Sequence, residues 1–217
     1  MRMLNQKIAD LRKDYKLASL DESEVASYPL SQFDKWWKDA IHSEIDEPNA
    51  MTLATSTPDG HPSARIVLLK SFDEEGFLFF TNYESRKGQE LAANPHVTLL
   101  FFWRELERQV RVEGTVSKAP MAVSNEYYNS RPLGSRIGAI ASPQSKVIPD
   151  RSFLEEQVDQ VASKYTQEDP QRPDYWGGYL VKPQVIEFWQ GRSNRLHDRI
   201  LYTLTAEGSW KIERLAP

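Results

Sequence analysis

Between positions 186 and 199 the chain reads Ile186-Glu187-Phe188-Trp189-Gln190, four spacer residues, then Arg195-Leu196-His197-Asp198-Arg199. An aromatic ring, cations and an imidazole gathered at the end of one strand can hold two stacked flat ligands. Taken singly, His197 reads as a structural histidine, and its spacing from Arg195 and Arg199 is what makes it a candidate for chemistry. A second set suits phosphate. Arg65-Ile66-Val67-Leu68-Leu69-Lys70 sets a cation at each end of an apolar run, and an odd separation sends the two side chains to opposite faces of a regular strand. A strand with charged ends is the plain alternative. Arg86-Lys87 follows Ser85 at the start of a short helix, where free backbone N–H groups and the helix dipole attract an anion, although dibasic pairs are also common on surfaces. Tyr127, Arg131 and Ser135 recur at intervals of four across the Arg131-Pro132 break and offer a phenol, a guanidinium and a hydroxyl to one ligand; an exposed helix end gives the same pattern.

Other chemistries find no support. Neither glycine-rich phosphate loop occurs. His42, His61, His96 and His197 lie too far apart to form paired metal ligands, so no metal is expected, and no nucleophile-elbow motif supports a Ser/His/Asp triad.

The elements that must carry these residues read as follows. Leu4, Ile8, Leu11 and Tyr15 recur at helical spacing in a basic arm that also holds Arg2, Lys7, Arg12, Lys13 and Lys16. An acidic linker over 21–27 leads to a helix whose stripe is Phe33, Trp36, Trp37, Ala40, Ile41 and Ile45. Strands over 51–57, 63–72 and 77–81 with short turns predict an antiparallel meander. A helix over 86–93 stops before Asn94-Pro95, and strands over 97–103 and 108–116 follow. Pro120 opens a helix through Tyr128, and Asp150 caps another that carries Phe153, Leu154, Val158, Val161 and Tyr165. A strand over 179–189 precedes a final hairpin, 199–205 and 210–215, turning at Glu207-Gly208. Hairpins dominate, so a barrel flanked by helices is expected, since closure removes open strand edges.

A length of 217 residues allows one domain with an appended arm. Hydrophobic residues make up 40% and charged residues 27%, the profile of a chain that folds in water. The chain has no cysteine, so oxidative chemistry would require a bound cofactor. No apolar run approaches membrane-spanning length, and the start carries no apolar leader after its charge; the expected compartment is the cytoplasm. A formal charge of -4 argues against a nucleic-acid face, so an anion must be held by a local basic cluster.

In this order and at about this spacing, the clusters resemble the pyridoxine/pyridoxamine 5'-phosphate oxidase family, from the basic arm to the closing Glu213-Arg214-Leu215-Ala216-Pro217. The segment from Trp189 to Arg199 looks like that family's signature. The resemblance implies a mainly β, α+β fold, the antiparallel FMN-binding split β-barrel with peripheral helices, and a homodimer with shared sites. It divides the chain into an arm and linker over 1–28, acting as a mobile lid, and a barrel domain over 29–217. It implies FMN contacts at Arg65, Ile66, Val67, Leu68, Lys70, Phe80, Thr81, Arg86, Lys87, Gln109, Gln144, Ser145, Trp189 and Arg199. Substrate positions carried over are Lys70, Tyr127, Arg131 and Ser135 for the vitamin phosphate, Arg195 and His197 beside the pyridine ring as catalytic residues, and Arg12 and Tyr15 on the lid. The implied reaction oxidises pyridoxine 5'-phosphate or pyridoxamine 5'-phosphate to pyridoxal 5'-phosphate, with dioxygen as acceptor, hydrogen peroxide as product, and ammonia released from the amine. Two other readings keep the same anchors: another split-barrel flavin or deazaflavin reductase, and a noncatalytic carrier of flavin or pyridoxal phosphate.

Overall fold

Alternation of apolar and polar side chains builds most of the sheet, and capped helices fill the connections. The computed structural model describes residues 13–165 and 169–217. In chain order their elements are α1 (Pro29–His42), β1 (Ala50–Ser56), β2 (Pro62–Leu68), β3 (Ser71–Asp73), β4 (Gly76–Asn82), α2 (Arg86–Ala93), β5 (His96–Trp103), β6 (Arg108–Lys118), α3 (Met121–Ser130), α4 (Leu133–Ala141), α5 (Arg151–Lys164), β7 (Trp176–Gln190), β8 (Asp198–Leu204) and β9 (Trp210–Arg214). The strands follow the order β2-β1-β5-β6-β7-β4-β3, with β8 pairing β7 and β9 pairing β8. The pairs β1 with β2, β3 with β4, β4 with β7, β7 with β8 and β8 with β9 are all antiparallel.

By contact the chain forms two compact units, each discontinuous in sequence. The first takes the chain up to Pro48 with Leu100–Arg111 and Val185–Pro217; the second takes Asn49–Leu99 and Val112–Gln184. In the first unit α1 begins with Pro29 in its opening turn, where a missing N–H removes no helical bond. It buries Leu30, Phe33, Trp36 and Ala40. Phe33 meets Phe101 at 5.1 Å between ring centroids, and Trp36 meets Phe188 edge-on at 5.2 Å. In the second unit every other residue of β1 is buried, including Met51 and Leu53, and Phe79 stacks against Tyr179.

Several local expectations hold. Helix α2 spans the expected residues, with the Ser85 side chain accepting from the Gly88 N–H, and Asp150 caps α5 by accepting from the Phe153 N–H. The final hairpin is present as β8 and β9.

Others are corrected. The strand expected over 63–72 is two strands, because Leu69 donates its N–H to the Asn49 carbonyl and Lys70 to the Leu78 carbonyl. Lys70 therefore stands outside β2, and the opposite-face argument for it and Arg65 lapses. The expected meander is present as two antiparallel hairpins, β1 with β2 and β3 with β4, but the break between β2 and β3 divides it, and β4 pairs on its other side with β7. Helix α4, which follows Pro132, was not expected, and on α1 Ile41 is exposed while Ile45 falls past the helix end. The expected arm helix falls mostly outside the described residues, and Tyr15 sits in irregular chain. Met121, the first residue of α3, is exposed.

Candidate active site

The first unit gathers Trp189, Arg195, His197, Arg199 and Tyr15. Antiparallel pairing sets Trp189, near the end of β7, opposite Arg199 on β8. Arg199 donates through Nε to Glu187 Oε1 at 2.7 Å and through Nη1 to the Ala216 carbonyl at 2.8 Å. Arg111 Nη2 lies 2.7 Å from the other Glu187 oxygen, so one buried carboxylate orients two guanidiniums. Its hydrogen bond and charge push the Arg199 value up. Gln109 lies on the same face of β6 as Arg111, by the two-residue alternation of a strand.

After β7 the chain makes a tight turn in which Asn194 and Arg195 are both left-handed, with φ of 57° and 63°. Each such residue stores on the order of 1–3 kcal/mol, which the surrounding contacts must hold. One of those contacts orients the imidazole. The Arg192 N–H donates to His197 Nδ1 at 3.1 Å, which leaves the proton of the neutral ring on Nε2. The ring lies 4.5 Å from Trp189 and 6.0 Å from Tyr15 between centroids. Burial, assisted by the Arg195 charge and opposed by Asp198, lowers the His197 value, so the neutral form is favoured. Arg192 is tied through Nη1 to Asp198 at 2.9 Å. A cavity of about 710 Å³ is lined by Lys13, Asp14, Tyr15, Arg192, Asn194, Arg195 and His197, within the size range of small-molecule sites.

The second unit holds the phosphate-type residues in two groups. Arg65 on β2 donates to Thr55 Oγ1, to Ser63 Oγ and to the Leu53 carbonyl, and ion-pairs with Glu90 at 3.2 Å. Arg86 ion-pairs with the other Glu90 oxygen at 2.9 Å. Lys87 Nζ donates to Gln144 Oε1 at 3.0 Å and to Thr81 Oγ1 at 3.2 Å, and burial together with the Arg65 charge lowers its value. Arg65 and Arg86 share the buried Glu90 carboxylate while Lys87 donates to neutral acceptors beside them, and that positive excess fits an anionic phosphate. Ile66 is exposed, Val67 and Leu68 are half-buried along β2, and Ser145 stands exposed at a φ of 71° beside Gln144.

In the second group Phe80 stacks on Tyr127 at 4.0 Å and on Trp176 at 5.6 Å. Lys70 Nζ lies 5.7 Å above the Tyr127 ring, and the Arg131 guanidinium 4.7 Å from the Trp176 ring. Arg131 Nη1 is buried and has no hydrogen-bond partner, and burial lowers the Arg131 value. A half-buried cation with a buried, open donor fits an incoming anion. Ser135 is exposed on the first turn of α4. Arg12 lies outside the described residues.

Sequence reasoning passed over the acidic partners. Glu90 was detectable as the residue four beyond Arg86 on one helix face, and Glu187 as the same-face neighbour of Trp189. Trp176, which meets Arg131, Tyr127 and Phe80, gave no local signal. Burial raises the Glu90 value, but hydrogen bonds from Ser63, Thr55 and Arg86, with the Arg65 charge, outweigh it and hold the carboxyl at about 2. Because that value is depressed, the stabilisation is complete above the unfolded value and is lost as pH falls through about 2. Glu90→Gln is expected to lower stability by about 3 kcal/mol at pH 7. Denaturant unfolding at pH 7 and pH 2 checks this: a loss as large at pH 2 as at pH 7 counts against it.

Comparison with known proteins adds three findings. Residues 37–165 match the pyridoxamine 5'-phosphate oxidase family, and residues 176–217 match the pyridoxine 5'-phosphate oxidase C-terminal dimerisation region. The chain is 60% identical to the pyridoxine/pyridoxamine 5'-phosphate oxidase of Paraburkholderia phymatum, over 97% of this chain and 99% of that one. It is 56% identical to the protein of that name from Trichormus variabilis, over 99% of this chain and all of the other. Among solved structures it resembles PhzG from Burkholderia lata in complex with tetrahydrophenazine-1-carboxylic acid, with a TM-score of 0.87 and 28% identity, covering 94% of this chain and 100% of PhzG. The antiparallel sheet and this likeness place the chain in the split-barrel fold class.

Proposed function

The chain belongs to the pyridoxine/pyridoxamine 5'-phosphate oxidase family, and we propose from that premise that it oxidises pyridoxine 5'-phosphate and pyridoxamine 5'-phosphate to pyridoxal 5'-phosphate as an FMN-dependent homodimer with shared sites. The observation that carries the substrate assignment is Arg131, a half-buried residue whose guanidinium has a buried, unpartnered Nη1 beside Tyr127 and Trp176. A phosphate dianion satisfies that donor, with Lys70 and the Ser135 hydroxyl as its other anchors. Arg65, Arg86, Lys87 and Ser145 hold the FMN phosphate, and Gln109, Trp189 and Arg199 surround the flavin ring. When bound, FMN supplies the two-electron acceptor for the hydride and passes the electrons to dioxygen.

The protein's own share is placement. Phosphate anchors fix one end of the substrate so that its reacting carbon is held at a single position, which converts binding into effective concentration. Arg195 and His197 orient the pyridine ring, with neutral His197 presenting an Nε2 donor. Tyr15, on the lid over 1–28, covers the ring and excludes water.

The test is an aerobic assay of FMN-loaded protein with each vitamin phosphate, following pyridoxal phosphate and hydrogen peroxide together. Equal formation of both over many turnovers is expected. Binding without turnover points to a carrier, and nicotinamide or deazaflavin oxidation to a reductase. Tight binding of a tricyclic carboxylate such as the one in the PhzG complex, with neither vitamin phosphate consumed, also overturns the reading. Arg86→Ala and Lys87→Ala are expected to weaken flavin retention about tenfold each while Arg195→Ala leaves it intact, as read by flavin titration.

A further inference from the structure

Glu107 joins two parts of the candidate site through different atoms. It follows a short 3-10 turn, Arg104–Leu106, and is itself left-handed, with a φ of 54°. Its backbone carbonyl accepts the Gly191 N–H at 2.7 Å and the Gln190 side-chain amide at 3.2 Å, which pins the end of the strand carrying Trp189. Its side chain does something else. Although only 6% exposed, the carboxylate turns away from the sheet ladder and accepts the Lys16 N–H at 2.9 Å and the Leu17 N–H at 3.1 Å on one oxygen. The other oxygen is 3.0 Å from Lys13 Nζ. All three donors belong to residues 13–17.

Those contacts set where Tyr15 lies. Its ring stands edge-on to Trp189 at 5.9 Å and 88°, and its carbonyl accepts from Ser193 Oγ at 3.1 Å. Gly191 permits the approach, since a Cβ there would come within 2.7 Å of Tyr15 Cγ. A left-handed turn favours glycine or asparagine, so the turn alone gives no reason for glutamate. The carboxylate is explained by the arm it binds, where a charged acceptor for backbone N–H groups is among the stronger hydrogen bonds available.

We propose that Glu107 is a positioning residue, the latch that holds residues 13–17 and so places Tyr15 beside Trp189 and His197. This rests on the oxidase reading for its effect on substrate, but the latch itself is measured without substrate. Closing the arm over bound substrate requires the latch to be made, so its loss weakens substrate retention and leaves the flavin anchors untouched.

Two variants separate the side chain from the turn. Glu107→Asn and Glu107→Gly both suit a left-handed backbone, and both keep the carbonyl that holds Gly191. In FMN-loaded, full-length protein, trypsin cleavage within residues 13–17 is expected to accelerate about tenfold, the equivalent of ~1.4 kcal/mol, as cleavage follows the population of the opened arm. The KM for pyridoxine 5'-phosphate is expected to rise about tenfold with kcat within about twofold, flavin content to stay at the wild-type value, and the unfolding midpoint to fall by no more than about 5 °C, the shift that the open arm alone accounts for. Unchanged cleavage in both variants overturns the latch. So does faster cleavage that comes with lost flavin and a midpoint lowered by more than that in both, because Glu107 would then only support the turn. If the wild-type protein oxidises neither vitamin phosphate, the oxidase reading fails, and the cleavage comparison still decides the latch.

Discussion

Arg131→Met is expected to raise the KM for pyridoxine 5'-phosphate about 100-fold while leaving flavin content unchanged. Arg131 is the C-cap of α3, and burial already lowers its value, so the fold holds a charge that water would stabilise better. The Trp176 ring meets the guanidinium at 4.7 Å and partly compensates. The open Nη1 is left for a ligand. Losing one member of a buried, hydrogen-bonded charge pair costs about 2–5 kcal/mol in binding, and 100-fold corresponds to ~2.7 kcal/mol. Methionine fills similar volume without charge, so the folded protein should gain stability as its affinity falls. Steady-state kinetics and inhibition by inorganic phosphate read the effect. Equal loss of affinity for unphosphorylated pyridoxine would show that Arg131 does not hold the phosphate.

His197→Ala is expected to reduce kcat about 100-fold at pH 8, because the Nε2 donor that orients the pyridine ring is lost and misplacing the reacting carbon carries a penalty of that order. The wild-type acid limb follows from the same geometry. Nδ1 accepts the Arg192 N–H, so protonating it breaks that hydrogen bond and adds a cation beside Arg195. Because burial and Arg195 depress the value, the working neutral form is complete above the ordinary value near 6.5 and is lost as pH falls through the lower folded value. Arg195→Gln should therefore move the acid limb upward, toward the ordinary value. A pH profile of kcat unaltered by that substitution would remove His197 from the limb.

What could be read in the sequence depended on range. Helix α2 was legible to the residue because Ser85 and Asn94-Pro95 mark its ends, and α5 because Asp150 caps it. Trp189, His197 and Arg199 were legible as neighbours because the turn that joins their strands is short. The pairing of β4 with β7 links Phe77 to Val181, and no local pattern encodes a partner so far along the chain. The break at Leu69 and Lys70 depends on the Asn49 and Leu78 carbonyls in the same way. Cations and aromatics were the residues that the sequence brought forward, and the proposed anchors come from among them. Overlooked were Glu90, Glu107 and Glu187, whose contribution is to aim other residues and which look like ordinary surface acids until their burial is known.

The burial of Met51 and the exposure of Met121 set how the protein ages while it works. Hydrogen peroxide released by the proposed reaction would meet the protein's own sulfur atoms, and this chain has no thiol to be converted to sulfenic or sulfinic acid. Met51 is 1% exposed, sealed within β1, whereas Met121 is 68% exposed at the first residue of the helix that carries Tyr127 and ends at Arg131. Among the described residues, sulfoxide damage from that source would therefore fall on Met121, and it would enter the molecule at the far end of the helix whose C-cap, Arg131, is the proposed phosphate anchor.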